Sequence, residues 1–212
     1  MKDIAIFGAG GFGREIACLI NLINKETPTW NLIGFFDDNP DLKGKRNEYG
    51  EILGGVDVLN AWNKPLNVLM AIGSGTTVKK VVDKIYNKKV EFPNLLYKVT
   101  YSDEKNFSIG KGNIVISTIF SCAVSIGDFN VTNGSVVFGH DTKVGNYNTF
   151  MPATRISGEV IIGNECFFGV GSIVLQQLRI GNRVRISAGS VMMTKPKDDC
   201  LYIGNPAKIF KY

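Results

Sequence analysis

"VIIGNECFFGVGSIVLQQLRIGNRVRISAGSVM", residues 160–192, places an apolar side chain at every sixth position: Ile162, Phe168, Val174, Ile180, Ile186 and Met192. The same step runs back to Ile114 through Phe120, Ile126, Thr132, Phe138, Val144, Phe150 and Ile156. Thirteen of these fourteen positions are apolar, where a hydrophobic content of 44% would supply about six by chance. Glycine follows many of the anchors (Gly127, Gly139, Gly145, Gly163, Gly169, Gly181), and a second, mostly small residue stands four places after them (Thr118, Val124, Val136, Thr142, Thr154, Cys166, Ser172, Ser190). A period of six is incompatible with an α-helix, whose period is 3.6. It predicts a solenoid in which each hexad makes a short strand and a corner, the glycine eases the turn, and three hexads close a triangular coil around the stacked anchors. Ile-Gly or Val-Gly pairs at 126, 144, 162 and 180 recur once per eighteen-residue coil, and Ile109-Gly110 lies seventeen before Ile126, a one-residue slip in the first coil. About four to five coils at roughly 4.8 Å each would make a prism about 20 to 24 Å tall.

The first hundred residues follow a different pattern. "IAIFGAGGFGREIACLINLIN", residues 4–24, reads as a buried strand, a glycine turn and a helix, with Gly8, Gly10 and Gly13 in the G-x-G-x-x-G spacing after a strand and before a helix. Such a turn lets a ligand approach the backbone closely and offers the free N–H groups of a helix N-terminus to a phosphate. A second strand, Leu32 to Phe36, leads into Asp37-Asp38-Asn39-Pro40, and a third, Val68 to Ile72, leads into Gly73-Ser74-Gly75 and a helix from about Thr77 to Asn87. This is βαβαβ, half of a Rossmann sheet, with its loops gathered at the strand carboxyl ends. Asp37 suits a ribose hydroxyl or a base N–H, and Asp38 is either a partner in that role or a turn former. The space before the repeats holds only one mononucleotide half, which favours a mononucleotide or nucleotide sugar over a dinucleotide. The expected division is 1–95 for this α/β domain and 96–212 for the solenoid, with "NLLYKVTY" around 94–101 as the bridge.

Composition narrows the classes further. The net charge is +5, but basic and acidic residues alternate without the aromatic-basic tract of a nucleic-acid surface. No apolar run approaches the roughly 18 residues of a membrane span, and Gly8 interrupts the start before a signal core could form, so a cytoplasmic chain is expected. The four cysteines (Cys18, Cys122, Cys166, Cys200) contain no CxxC pair and suggest neither a metal site nor a disulfide framework. His140 is the only histidine, and Asp141 follows it. An imidazole with a pKa near 6.5 is suited to proton transfer at neutral pH.

Taken together, "GAGGFGRE" at 8–15, "GFFDDN" at 34–39, the hexads and "GNPAK" at 204–208 resemble the family of sialic acid O-acetyltransferases and bacillosamine N-acetyltransferases, hexapeptide-repeat enzymes, over essentially the whole chain. The resemblance implies that the solenoid is a left-handed parallel β-helix, a handedness that the general rule for parallel crossovers would not supply. It further implies transfer of an acetyl group from acetyl-CoA to a sugar, commonly the 4-amino group of a nucleotide-linked amino-deoxysugar, by a homotrimer with sites between neighbouring β-helices. Carried over residue by residue, His140 is the general base, Asp141 its acidic neighbour, and the backbone N–H of Gly158, one coil on, the donor to the thioester carbonyl. Gly8, Gly10, Gly11, Phe12, Gly13, Asp37, Asp38, Gly73 and Ser74 form the nucleotide-sugar site, with Phe12 standing where some members carry histidine. Gly158, Gly204, Asn205, Pro206 and Lys208 contact acetyl-CoA. No metal is expected.

Other readings remain open at this level. O-acetylation of sialic acid or another sugar uses the same chemistry. A nicotinamide-dependent oxidoreductase is motivated by the glycine loop and Asp37, and a zinc carbonic anhydrase would need His140 from three chains on one axis. A non-catalytic scaffold in glycan assembly is the last. With no serine or cysteine evident as a nucleophile beside His140, direct attack by the acceptor on the thioester is expected.

Overall fold

The computed structural model describes residues 1–210. They fold as two compact units, one of Met1–Gly73 with Thr77–Asn94 and the other of Ser74–Thr76 with the chain from Leu95 onward.

The first unit runs β1 (Lys2–Phe7), α1 (Gly11–Glu26), β2 (Trp30–Phe36), β3 (Arg46–Asn47), β4 (Gly50–Gly54), α2 (Val56–Asn60), β5 (Leu66–Met70), α3 (Gly75–Val82) and β6 (Val90–Glu91). Its sheet has the order β3-β4-β2-β1-β5-β6, parallel except for the β3–β4 hairpin. Ile4, Ala5, Ile6 and Phe7 are all buried, as a central parallel strand covered on both faces requires. α1 lays Ile16, Ala17, Leu19 and Ile20 on the sheet. With β2 on one side of β1 and β5 on the other, the winding reverses at β1, and ligands of such sheets bind at the carboxyl ends beside that reversal. The sheet is wider than three strands: β4 extends it beyond β2, and the two-residue β6 extends it beyond β5. The third helix starts at Gly75 and stops at Val82, short of the expected Asn87.

The second unit is a parallel β-helix with three faces. One face stacks Leu95–Tyr97, Ile114–Ile116, Val131–Asn133, Thr149–Phe150, Phe167–Phe168, Arg185–Ile186 and Leu201–Ile203; the next stacks Thr100–Tyr101, Ile119–Phe120, Val137–Phe138, Arg155–Ile156, Ile173–Val174 and Val191–Met192; the third stacks Ser108–Ile109, Ser125–Ile126, Lys143–Val144, Ile161–Ile162 and Arg179–Ile180. Along the middle of the coil, partners differ by eighteen residues, as in Phe120 with Phe138 and Val144 with Ile162. The slip appears where Ile109 pairs with Ile126 and Ile114 with Val131. The segment expected to bridge the domains is itself the first rung: Leu95 pairs with Ile114 and Tyr101 with Phe120, and a 3₁₀ turn at Glu104–Asn106 breaks the hexad rhythm there. At the other end Leu201 pairs with Arg185, and the antiparallel Lys208–Ile209 finishes the edge.

The anchors form the core. Phe120 and Phe138 stack at 5.2 Å and Phe150 and Phe168 at 4.6 Å, each pair adding about 0.5–1.5 kcal/mol beyond its buried area. Thr132, the one polar anchor, shares a 2.7 Å hydrogen bond with the hydroxyl of Thr118. At the corner between the third and first faces, buried asparagines carry the coil: Asn113 Oδ1 accepts from the N–H of Asn130, Asn130 Oδ1 from that of Asn148, and Asn148 Oδ1 from that of Cys166. A second, outer ladder runs through Asp128, Asn146, Asn164 and Asn182.

The role expected for the glycines needs correction. The left-handed corner lies three residues after the anchor, and eleven of its thirteen occurrences, from Ser117 to Gly189, are not glycine. The glycine next to the anchor serves coil-to-coil approach instead: a Cβ on Gly145 would stand 2.5 Å from the carbonyl oxygen of Gly163. Among the described residues no helix is long and apolar enough to cross a membrane.

Candidate active site

His140 sits on the corner between the second and third faces, just after Val137–Phe138. Asp141 occupies the left-handed corner position at φ +57°. Its N–H is bound by the carbonyl of Cys122 at 3.0 Å, and the carbonyl of His140 receives the N–H of Glu159 at 2.7 Å, so both residues are fixed by the rungs on either side. Thr142, buried, donates its hydroxyl to the carbonyl of Gly139 and ties the corner inward.

The imidazole Nδ1 lies 2.8 Å from Asp141 Oδ2. An ionised carboxylate only accepts, so Nδ1–H donates and Nε2 carries the lone pair. That nitrogen lies against Gly158, where a Cβ would stand 2.5 Å from it. The neighbouring amides are in the ladder, Ser157 N–H to Val174 and Glu159 N–H to His140, while the N–H of Gly158 meets no acceptor among the described residues. A free proton acceptor and a free backbone donor therefore share one exposed corner. This pair can take a proton from a nucleophile and stabilise an oxyanion. Cys122 stands one rung before His140 in the same column, a neighbour that sequence reading overlooked. No hydrogen bond joins its thiol to the imidazole among the described residues, and the ring leans toward Gly158.

Gly204, Asn205, Pro206 and Lys208 lie at the end of the coil, away from His140. Gly204 N–H binds the hydroxyl of Ser190 at 3.0 Å, its carbonyl takes the N–H of Val191, and Ala207 N–H reaches the carbonyl of Val191. At the corner that precedes Leu201–Ile203, Arg183 makes a 2.9 Å bond to Asp199, which holds the Asp199 carboxyl below its usual range and raises the guanidinium.

In the first unit the glycine loop and Asp37 converge. Asp37 Oδ2 accepts the N–H of Ala9 at 2.9 Å and its other oxygen takes the N–H of Asn39. Gly8, at φ +110°, lets the carbonyl of Ala71 approach to 2.5 Å of where its Cβ would be, which brings the end of the strand that leads to Gly73 alongside; Ser74 falls in the second unit. Gly13 packs the start of α1 onto the loop, with the carbonyl of Gly8 1.9 Å from a would-be Cβ. Gly10 and Gly11 face open space, α1 has no side-chain cap or acidic residue in its first turn, and Phe12 is half-buried there. Asp38 turns to a structural task, accepting the N–H of Val56 at the start of α2. Beside Asp37 opens a cleft of about 610 Å³ lined further by Lys43, Asn60, Lys84 and Tyr86, residues no motif had marked. Among the described residues no group of three or more His, Cys, Asp or Glu could hold a metal ion.

Residues 3–85 match the PglD N-terminal domain family. The whole chain superposes on the acetyltransferase domain of PglB from Neisseria gonorrhoeae FA1090, solved with acetyl coenzyme A, at 24% identity and TM-score 0.85, covering 99% of each chain. WeeI from Acinetobacter baumannii AYE gives 25% identity and TM-score 0.87, covering 99% of this chain and 100% of that one. The chain has the fold of the hexapeptide-repeat sugar acetyltransferases. PerB from Caulobacter crescentus, solved with CoA and GDP-perosamine, shares that acyltransferase fold at 23% identity and TM-score 0.82, covering 100% of this chain and 98% of that one. No curated protein matches. Domain match and superpositions agree with the fold that the resemblance read from the motifs implied.

Proposed function

We propose that the protein transfers the acetyl group of acetyl-CoA to the amino group of a nucleotide-linked amino-deoxysugar, by direct attack. The observation that carries this is the corner at His140, where Nε2 and the unbonded N–H of Gly158 lie side by side. His140 takes the proton from the attacking amine, Asp141 holds the ring and stabilises the imidazolium, and Gly158 N–H receives the developing thioester oxyanion. The oxyanion collapses with loss of the CoA thiolate, which takes the proton from the His140 imidazolium and leaves as the CoA thiol. Domain 96–212 does this chemistry, and Gly204 to Lys208 hold the nucleotide end of the coenzyme.

Domain 1–95 holds the nucleotide sugar. The uncapped start of α1 at Gly10 to Gly13 takes the diphosphate, Asp37 the ribose or base, and Gly73 and Ser74 border the sugar. The PerB complex with GDP-perosamine supports this acceptor class. A homotrimer is supported by the outward residues of the second face, where Ile119 and Val137 on one side and Ile173 and Val191 on the other flank the exposed Arg155 in an otherwise apolar column. A cytoplasmic location is supported by four cysteines that are all unpaired.

The test is thiol release from acetyl-CoA with a panel of nucleotide-linked amino sugars and sialic acid, for wild type and His140→Ala. Release that depends on an amino sugar and falls at least about a hundredfold in the variant is expected. Release with sialic acid alone would move the assignment to O-acetylation, and full activity in His140→Ala would remove the base.

A further inference from the structure

Gly139 immediately precedes His140, and its bare Cα faces the peptide that carries the Gly158 N–H. A Cβ built on Gly139 would lie 2.5 Å from the Gly158 nitrogen and 2.6 Å from the carbonyl carbon of Ser157. Both distances are shorter than real Cβ contacts allow, and both atoms are backbone, so that peptide would have to move. Most glycines that follow an anchor are different. At Gly127, Gly145 and Gly163 the backbone atom nearest a Cβ is a carbonyl oxygen of the next coil, and no free donor is disturbed.

We infer that Gly139 is a positioning residue: its missing side chain sets the height of the Gly158 amide against the imidazole of His140. The inference rests on the oxyanion role proposed for Gly158. An amide aimed at an oxyanion works only within a few tenths of an ångström of hydrogen-bond distance, and displacing it costs transition-state stabilisation with little effect on ground-state binding.

The coil contains its own control. A Cβ on Gly169 would meet the Ala188 nitrogen at 2.4 Å and the Ser187 carbonyl carbon at 2.8 Å, the same clash at a different corner, away from His140. Gly139→Ala and Gly169→Ala should therefore lose similar stability, and only Gly139→Ala should lose turnover. The experiment compares kcat, both KM values and the melting temperature of the two full-length variants with wild type and with His140→Ala. The expected result is a kcat at least tenfold lower in Gly139→Ala at nearly unchanged KM, with Gly169→Ala at wild-type kcat.

Equal kcat losses in the two alanine variants would show general loosening of the coil and overturn the inference. So would wild-type kcat in Gly139→Ala, and so would a Gly139→Ala chain that fails to fold while Gly169→Ala folds, because the clashes would then not be equivalent. An active His140→Ala enzyme is a separate failure, since it removes the reading of the site itself.

Discussion

Replacing Asp141 by alanine tests how much the acidic neighbour contributes to the histidine. The pair is at 2.8 Å, with side-chain exposures of 54% and 59%, so it sits in a dielectric close to that of water. At that separation the attraction between imidazolium and carboxylate is about 1.5 kcal/mol in bulk water, and loss to the transition state of that amount slows the reaction about tenfold. Asp141→Ala should therefore cost about tenfold in kcat, well short of the loss from His140→Ala. Asp141→Asn keeps an oxygen to receive Nδ1–H, preserves the tautomer, and should fall between Asp141→Ala and wild type. Because Asp141 has φ +57°, where asparagine is tolerated and alanine is strained, both variants should be assayed well below their melting temperatures. Initial rates at saturating acetyl-CoA and acceptor give the comparison. An Asp141→Ala loss of a hundredfold or more, matching His140→Ala, would refute the reasoning, because a water-like dielectric cannot supply that much.

Two further expectations concern the coil. Asn148→Ala strips partners from the buried N–H of Cys166 and the carbonyl of Gly163, and should cost about 2–5 kcal/mol, whereas Asn146→Ala on the half-exposed outer ladder, where water can substitute, should cost about 0.5–1.5 kcal/mol; urea titration measures both. Burial pushes the Cys166 thiol up from 9.0 to about 12. Because the folded value lies above the unfolded one, the neutral thiol's contribution is complete below pH 9 and is lost as pH rises toward 12. Stability should fall by about 1.4 kcal/mol between pH 8 and pH 10, a slope that Cys166→Ala should lack.

The coil was legible because its signal is redundant: fourteen positions at one spacing, with an eighteen-residue recurrence that also fixes which residues stack. Counting eighteen from His140 reaches Gly158, so the juxtaposition at the corner followed from register alone. The ends were not legible, since Leu95 lies nineteen before Ile114 and Leu201 sixteen after Arg185, and a spacing used once carries no period. The asparagine ladders were readable in principle, as Asp or Asn after Ile-Gly or Val-Gly at 128, 146, 164 and 182, but polar residues at a glycine-rich corner look like ordinary turn formers. In the first unit β4 escaped because "GEILG" is short and flanked by glycine, and the cleft beside Asp37 escaped because Lys43, Asn60, Lys84 and Tyr86 converge only after folding. Asp38 shows the opposite case. Its sequence context fits ligand binding or a turn, and the bond it makes to Val56 is a tertiary fact.

Because Arg155 pairs with Ile173, Ile173 with Val191, and Val191 with the stretch Gly204–Ala207 that stacks on it, that stretch begins three rungs beyond the coil of Gly158. At roughly 4.8 Å per rung, that gap is about 14 Å along the axis, and the chain can change it only by whole coils without turning every anchor out of the core. The helix is thus a ruler with discrete marks. The span between the reacting corner and the terminal strap is quantised, and a sequence that gained or lost eighteen residues between them would be re-gauged for a longer or shorter cosubstrate arm while its cross-section stayed the same.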